Sequence, residues 1–342
     1  MSKKIVMLTH TADFTGMLKV LRDRLEARGA EVMRFDTDRF PTEARAGFAQ
    51  ESDREVLYFS VDGQEIRVEP DDAIWYRRAN WGGQLPQEME RQLRQGAVAE
   101  SKALLRGMLA AAPCFVLDPP ELVRWRGHKP AQQRLARELG LATPRTLMTN
   151  DAEQARAFID SCPTGAIAKM LAAFPVYDEH GEEQVVFTTA LNHDHLNQLD
   201  GLRYSPMVFQ EQLRKRVELR ITVIGARMFA AAIDSQGTAG AETDWRERGV
   251  TLLRSWTPYT LPPEIERALE RYMERIGMQY SAIDMIVEPD GRHVFLEANP
   301  AGECFWLEFN SPKFPFSEAL ADVLLDAPGA RRRVATPAVA AA

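Results

Sequence analysis

The sequence predicts an α/β protein that begins with a parallel sheet. Residues 3–8 form a short apolar run, residues 15–28 carry leucines at helical spacing, and residues 31–35 form a second apolar run. A helix between two strands is the usual connection between parallel neighbours. The last third of the chain is rich in further predicted strands and tight turns, so the sheet content extends beyond this first unit.

A first domain is predicted at residues 1–120. Its remaining elements are a hairpin at 55–60 and 63–68 whose turn is Asp62-Gly63, a strand at 74–78, a helix at 87–111 and a strand at 115–117.

The pattern changes after residue 120, and two further segments are predicted. The first, residues 121–205, carries helices at 128–139 and 152–160, strands at 146–148 and 166–170, and a hairpin-like pair around Gly181. The second, residues 206–327, carries strands at 208–210, 218–224, 228–233, 281–287 and 294–297 and a helix at 263–276. Residues 328–342 are mostly small residues with three arginines, which predicts a disordered tail.

Charge and composition exclude several classes of protein. The 342 residues carry a net charge of −7, which argues against non-specific nucleic-acid binding. No apolar run reaches the ~18 residues of a membrane-spanning helix, and the first apolar run is too short for a signal peptide. Three widely spaced cysteines give neither a disulfide framework nor a zinc spacing. We therefore expect a cytoplasmic protein.

The strongest local motif is a predicted hairpin with three oxygen ligands at one end. Asp284 lies near the start of its first strand, and Glu297 and Asn299 end the second strand on one face. The start of one strand lies beside the end of its partner, so the three groups are expected to converge. Carboxylate and amide oxygens suit Mg²⁺. The alternative is an ordinary hairpin with polar ends, although Glu297 among apolar neighbours needs a partner.

Two lysines are candidates for binding phosphate. Lys169 ends an apolar strand and Lys129 precedes a helix, and either can act as a point charge on phosphate oxygens. Each could equally be a solvent-exposed cation.

A third group of candidates lies on the strands that follow. Gln210 and Glu211 end a strand that can present backbone groups to an adenine edge, and Glu218 can bind ribose hydroxyls. Arg220 shares a face with Glu218, and Arg246 on a loop can grip a phosphate as a fork. The alternative is a surface strand with alternating charges.

Other catalytic motifs are absent from the sequence or weak. It holds no G-x-x-x-x-G-K-[ST], no G-x-G-x-x-G and no G-x-S-x-G. His193 and His195 lie two apart in a predicted helix, a spacing that separates them, so a metal site there is disfavoured. Cys304 is a weak nucleophile candidate because no base is identifiable.

Taken in order, these residues resemble the ATP-grasp superfamily. Within it, the chain is similar over residues 3–325 to the ligases that macrocyclise ribosomal peptides of the microviridin class, also called graspetides. The segments that carry this likeness are 75–78, 140–151, 218–225, 244–246 and 295–302.

The resemblance implies an ATP-grasp fold with an N-terminal pre-ATP-grasp α/β domain, a central domain and a C-terminal ATP-grasp domain. ATP would lie between the last two. The implied roles are phosphate binding by Lys129 and Lys169, adenine contacts by Gln210 and Glu211, ribose binding by Glu218, two Mg²⁺ ions on Asp284, Glu297 and Asn299, and stabilisation of the phosphoryl group by Arg220 and Arg246.

The resemblance also implies the reaction and the partner. An Asp or Glu side chain of a precursor peptide, made of leader and core, would become an acyl-phosphate. A Thr or Ser hydroxyl or a Lys amine would then displace phosphate, giving an ω-ester or ω-amide ring, ADP and phosphate. We expect one cation of the cluster Arg214, Lys215 and Arg216 to recognise the core acid, the leader to bind near residues 193–197, and the enzyme to be a homodimer or larger.

Two alternatives stay open at this point. One is an ATP-grasp ligase that joins a small molecule or a protein C-terminus to an amine, which would share every nucleotide-binding residue. The other is a non-catalytic, nucleotide-dependent binding protein, which the intact set of Asp284, Glu297 and Asn299 disfavours.

Overall fold

The structure is a computed structural model that describes residues 2–13, 16–52, 54–172, 176–180, 182–184, 186–238, 240–241 and 243–332. Its N-terminal elements are β1 (Lys4–Thr9), α1 (Gly16–Ala27), β2 (Glu31–Asp36), β3 (Arg45–Gln50), β4 (Glu55–Val61), β5 (Gln64–Arg67), β6 (Ala73–Tyr76), α2 (Arg91–Ala110) and β7 (Phe115–Leu117). The predicted parallel sheet is confirmed: four parallel strands lie in the order β2-β1-β6-β7, and β3, β4 and β5 form a separate antiparallel sheet.

Local sequence signals explain this start. In α1, Leu18, Leu21 and Leu25 are buried as their spacing predicts, and the helix stops before Gly29, which adopts a φ of 86°. The hairpin turn between β4 and β5 places Asp62 and Gly63 at positive φ, as the Asp-Gly pair predicts.

The middle of the chain forms a second, four-stranded antiparallel sheet. Its elements are α3 (Pro120–Arg126), α4 (Lys129–Glu138), β8 (Thr146–Thr149), α5 (Ala152–Asp160), β9 (Ala166–Lys169), β10 (Val176–Tyr177), β11 (Glu183–Gln184), β12 (Thr189–Ala190), α6 (His193–Leu196), a 3-10 turn at Leu199–Arg203 and β13 (Met207–Glu211). The strand order is β12-β9-β13-β8, and β10 pairs with β11. β13 lies beyond the boundary predicted at residue 205, yet it pairs with β8 and β9.

The last part holds a five-stranded antiparallel sheet in the order β16-β15-β14-β17-β18. Its elements are β14 (Val217–Ile224), β15 (Arg227–Ile233), a 3-10 turn at Trp245–Arg248, α7 (Gly249–Leu252), β16 (Thr257–Pro258), α8 (Pro263–Ile276), β17 (Tyr280–Val287), β18 (His293–Asn299), α9 (Phe305–Asn310) and α10 (Phe316–Leu325). One face of this sheet packs on α8, and Ala136 and Leu141 from the α4 region join the same core. The segment around α4 therefore packs with the last sheet rather than with the second.

The N-terminal and C-terminal parts share a hydrophobic core. Leu21 of α1 and Trp75 of β6 lie in one cluster with Phe305 of α9 and Leu320 of α10. This shared core fixes the parallel sheet against the C-terminal sheet. None of the helices in the described ranges is long and apolar enough to cross a membrane.

The start of the predicted disordered tail contacts the body of the protein. The Ala330 carbonyl accepts a hydrogen bond from the Ala226 amide, and Arg332 and the Gln279 side chain exchange two hydrogen bonds. The Arg331 guanidinium lies 3.7 Å from the centre of the Phe115 ring. Residues 333–342 of that tail lie outside the described residues.

Candidate active site

The register of β17 and β18 brings the predicted metal ligands together. Asp284 pairs with Glu297, and Asn299 pairs with Ala282 two residues further along. The register shifts after Asp284, which leaves Leu296 without a partner residue. This β-bulge turns Glu297 away from the core that Phe295 and Ala298 share, and towards the opposite face of the sheet.

A cavity of about 520 Å³ lies between the four-stranded sheet that contains β9 and β13 and the five-stranded sheet that contains β14, β17 and β18. Polar side chains from both sheets face it, and aromatic and aliphatic groups close its walls. Of the predicted site residues, those lining it are Lys129, Lys169, Gln210, Glu211, Lys215, Glu218, Arg220, Arg246, Asp284, Glu297 and Asn299. Arg214 and Arg216 are exposed and do not line it.

Lys129 and Lys169 surround Glu297. The Lys129 Nζ contacts Glu297 Oε2 directly, and the Lys169 Nζ donates to Gln210 Oε1 at 3.0 Å. Burial raises the pKa of Glu297, but the two lysines pull it below its ordinary value, so the carboxylate is ionised. Burial lowers the pKa of Lys169. The acid inside an apolar strand thus has the cationic partners that its burial requires.

Arg220 and Asp284 form the second ion pair. The Arg220 Nη1 lies 2.9 and 3.0 Å from the two Asp284 oxygens. Burial raises the pKa of Asp284, and the guanidinium opposes that rise. A further cation beside Asp284 would favour the ionised carboxylate in the same way.

The Glu218 side chain is fixed by two donors. Ser235 Oγ donates to Glu218 Oε1 at 2.7 Å, and the Lys215 Nζ lies 3.1 Å from the same oxygen. The Lys215 Nζ also donates to the Thr243 carbonyl at 2.7 Å. Burial raises the pKa of Glu218, while Lys215 opposes the rise. Lys215 is therefore committed to Glu218.

Gln210 and Glu211 also use their side chains within the protein. Gln210 bridges Lys169 and the hydroxyl of Thr146, to which its Nε2 donates at 2.9 Å. Glu211 Oε1 accepts the Arg145 amide at 2.9 Å. The side chains of both residues are thus bound within the protein, and the Glu211 amide donates to the Arg145 carbonyl at 3.0 Å.

Arg246 is oriented by Asp244, a residue of the segment 244–246 to which the sequence analysis assigned no role of its own. The buried Asp244 accepts from Arg246 Nε at 2.8 Å and from Nη2 at 2.6 Å. Burial alone would raise the pKa of Asp244. The hydrogen bonds and charge of Arg246 outweigh burial, so the pKa lies below its ordinary value. This fork fixes the guanidinium beside the cavity.

Three tryptophans form an aromatic wall that sequence reasoning also missed. Trp245, Trp256 and Trp306 line the cavity with ring centres 5.2 to 5.4 Å apart. They come from three separate segments, so nothing in their spacing along the chain indicates that they meet. Glu303, which follows the predicted Mg²⁺ motif, lines the cavity beside them.

The oxygen ligands are compatible with a hard cation that takes further ligands from a bound molecule. In the part of the chain that the structure describes, no three His, Cys, Asp or Glu side chains form a metal site. Asp284 and Glu297 supply carboxylate oxygens, and the Asn299 Oδ1 accepts the Ala301 amide at 3.1 Å. Mg²⁺ binds through one or two carboxylates together with phosphates, which suits this incomplete set.

The environments of Cys304 and His195 do not favour the chemistry that the sequence raised for them. Cys304 is buried, and burial raises its thiol pKa to about 12, which disfavours the nucleophilic thiolate. The His195 Nδ1 accepts the Asn192 amide in the cap of α6.

A family model described as the MvdD pre-ATP grasp domain matches residues 4–124. Macrocyclase MdnC from Microcystis aeruginosa MRC, solved with precursor peptide MdnA, is 38% identical, and 94% of this chain covers 99% of MdnC with a TM-score of 0.85. The chain belongs to the ATP-grasp macrocyclases of ribosomal peptides. It is therefore an ATP-grasp ligase, as its resemblance implied.

Two more solved proteins are similar to this chain along nearly their full length. A Chryseobacterium gregarium RiPP-associated ATP-grasp ligase, solved with ADP and a leader and core peptide, is 35% identical, with a TM-score of 0.90 over 97% of this chain and 100% of that one. Macrocyclase MdnB from Microcystis aeruginosa MRC is 31% identical, with a TM-score of 0.77 over 94% and 99%. None of the curated proteins matches the chain.

Proposed function

We propose that this macrocyclase uses ATP and Mg²⁺ to phosphorylate an Asp or Glu side chain of a precursor peptide. A Thr or Ser hydroxyl or a Lys amine of the same peptide then displaces phosphate. The products are an ω-ester or ω-amide ring, ADP and phosphate. The observation that carries the proposal is one cavity in which Lys129, Lys169, Arg220 and Arg246 surround the carboxylates of Asp284 and Glu297.

The nucleotide would lie between the two sheets. The backbone at Gln210 and Glu211 would contact the adenine edge, and Glu218 would accept from ribose hydroxyls. The ADP that the Chryseobacterium ligase carries supports a nucleotide in this cavity. Gln210 would then act by holding the Lys169 ammonium in place.

The charged side chains beside β18 could bind both the phosphates of the nucleotide and the Mg²⁺ that accompanies them. Lys129 and Lys169 would bind phosphate oxygens, and Asp284, Glu297 and Asn299 would hold Mg²⁺. When bound, Mg²⁺ neutralises phosphate charge. The lysines lie close enough to Glu297 to keep it ionised, which is the state that a metal ligand needs.

The reacting carboxylate needs cations at the same end of the cavity. We propose Arg220 and Arg246 for this role, because both line the cavity and each is oriented by an acid. Arg214 and Arg216, which the sequence also suggested, are exposed outside it, and Lys215 is bound to Glu218. The leader site near residues 193–197, the cytoplasmic location and the homodimer or larger homo-oligomer stay predictions.

Mass spectrometry tests the proposal. A Thr-, Glu- and Asp-rich peptide encoded beside the gene for this chain would be incubated with enzyme, ATP and Mg²⁺. We expect the loss of one water mass per ring, and base hydrolysis would separate esters from amides. Glu297→Gln should abolish the loss, whereas Glu288→Gln, at the other end of the same hairpin, should not.

The same assay discriminates the second candidate function. An ATP-grasp ligase for small molecules would release ADP only after a free amino acid or small acid is added. That result, with no mass change in the peptide, would exclude peptide macrocyclisation.

A further inference from the structure

A chain of buried polar contacts runs from the N-terminal domain to the cavity. It begins at Arg77, directly after β6. The Arg77 side chain is nearly as buried as the core around it. The Arg77 Nε lies 2.7 Å from Asp13 Oδ2, and its Nη2 lies 2.6 Å from Glu303 Oε2. Its guanidinium also lies 5.0 Å from the centre of the Phe305 ring. Arg77 thus joins the N-terminal domain to the loop after β18.

The Glu303 carboxylate also binds the backbone that follows it. Its Oε1 accepts the amides of Cys304 at 3.1 Å and Phe305 at 2.9 Å, so the carboxylate caps the start of α9. With Oε2 bound to Arg77, both carboxylate oxygens are used. The position of the Glu303 backbone therefore depends on where Arg77 holds the side chain.

The Glu303 carbonyl in turn holds Arg220. It accepts from Arg220 Nη2 at 3.0 Å and from Trp306 Nε1 at 3.2 Å. Arg220 otherwise donates to Asp284, and among the described residues its buried Nε has no partner. Losing the carbonyl would leave a second buried donor of this guanidinium unpaired, which is unfavourable in a buried site.

We infer that Arg77 and Glu303 are positioning residues. Together they fix the orientation of the Arg220 guanidinium, and through it that of the Asp284 carboxylate, so the N-terminal domain acts on the cavity through Arg77. The inference rests on the proposed function, since it assigns Asp284 to Mg²⁺. Partners one step behind a metal ligand orient it, and changing them typically costs about 10- to 100-fold in metal affinity. The N-terminal domain would then be required for an intact metal site, although it supplies no metal ligand itself.

Mn²⁺ binding, measured by electron paramagnetic resonance in the presence of ADP, tests the inference without a peptide. Glu303→Gln retains an oxygen for the α9 cap but loses the charge that pairs with Arg77. We expect it to weaken Mn²⁺ binding about tenfold or more, with unchanged ADP affinity in the absence of metal. Arg77→Lys cannot form the same fork and should give a similar loss.

The double variant and a neighbour supply the controls. Glu303→Gln with Arg77→Lys should be no weaker than the worse single variant, because both act through one contact. Arg78 also reaches Glu303 Oε2, at 3.1 Å, but is 42% exposed, so Arg78→Gln should bind Mn²⁺ within about twofold of the wild type.

Either of two results would overturn the inference: Mn²⁺ affinity of folded Glu303→Gln equal to the wild type, or losses that multiply in the double variant. Thermal unfolding of each variant establishes that it is folded. A wild-type chain that binds neither ADP nor Mn²⁺ would overturn the proposed function, and the inference with it.

Discussion

Hydrogen bonds between neighbouring side chains already orient the polar groups of this cavity in the absence of a substrate. Asp244 orients Arg246, Gln210 orients Lys169, and Ser235 orients Glu218. Each buried acid has a cationic or hydroxyl partner, which limits the cost of its burial. Such fixed groups favour catalysis because they need little rearrangement when charge develops.

Gly302 is the position at which a single methyl group should disturb this arrangement. A Cβ there would lie 2.7 Å from the Ala282 Cβ and 2.8 Å from the Arg220 Nη2. Since Ala282 is fixed in a strand, Arg220 must move. We expect Gly302→Ala to lower the rate of ring formation at least about tenfold and to cost about 1–3 kcal/mol of stability.

Gly107 is the matched control, because a Cβ at this helical position meets nothing within 4 Å. Gly107→Ala should keep full activity and gain up to about 1 kcal/mol of stability. Steady-state rates and urea unfolding of the two variants check both expectations. Equal activity of Gly302→Ala and Gly107→Ala would contradict the close packing of Arg220 described here.

The β17–β18 hairpin shows which features of an element can be predicted from sequence and which cannot. Strand alternation and the Asp290-Gly291 turn were enough to predict that Asp284 lies beside Glu297, and the register confirms it. The bulge at Leu296 was not predictable, because an unpaired leucine in an apolar strand looks like any other strand residue. Yet the bulge decides which way Glu297 points.

Of the cations in the run from Arg214 to Arg216, one lines the cavity and two do not. These residues lie between β13 and β14, where spacing along the chain does not fix which way a side chain points. Here Lys215 lines the cavity, and Arg214 and Arg216 face solvent. The roles of Asp244 and Glu303 also escaped prediction, because their partners are set by tertiary packing.

At the scale of the whole molecule, one buried carboxylate joins the N-terminal sheet to the C-terminal sheet. Asp118, directly after β7, accepts the amides of Gln279 and Tyr280 at the start of β17. Burial raises its pKa to about 7, although these hydrogen bonds oppose the rise. The folded protein therefore holds a proton on Asp118 over a pH range in which the unfolded chain has lost it.

This proton makes the junction sensitive to pH. Because the folded pKa exceeds the ordinary 3.8, Asp118 contributes less stability as pH rises between about 4 and about 7. We expect the stability of the wild type relative to Asp118→Asn to fall by at least about 1 kcal/mol over that range. Urea unfolding at several pH values measures it, and a constant difference would contradict the raised pKa.

The central claim is that the cavity forms an acyl-phosphate on a carboxylate of the precursor peptide. The most direct test uses a peptide whose Asp and Glu carboxylates carry oxygen-18, incubated with enzyme, ATP and Mg²⁺. If the carboxylate attacks the γ-phosphate and phosphate is later displaced, one labelled oxygen must leave with each phosphate released. The account predicts one oxygen-18 atom in the phosphate for every ring closed. Ring formation with unlabelled phosphate would contradict it.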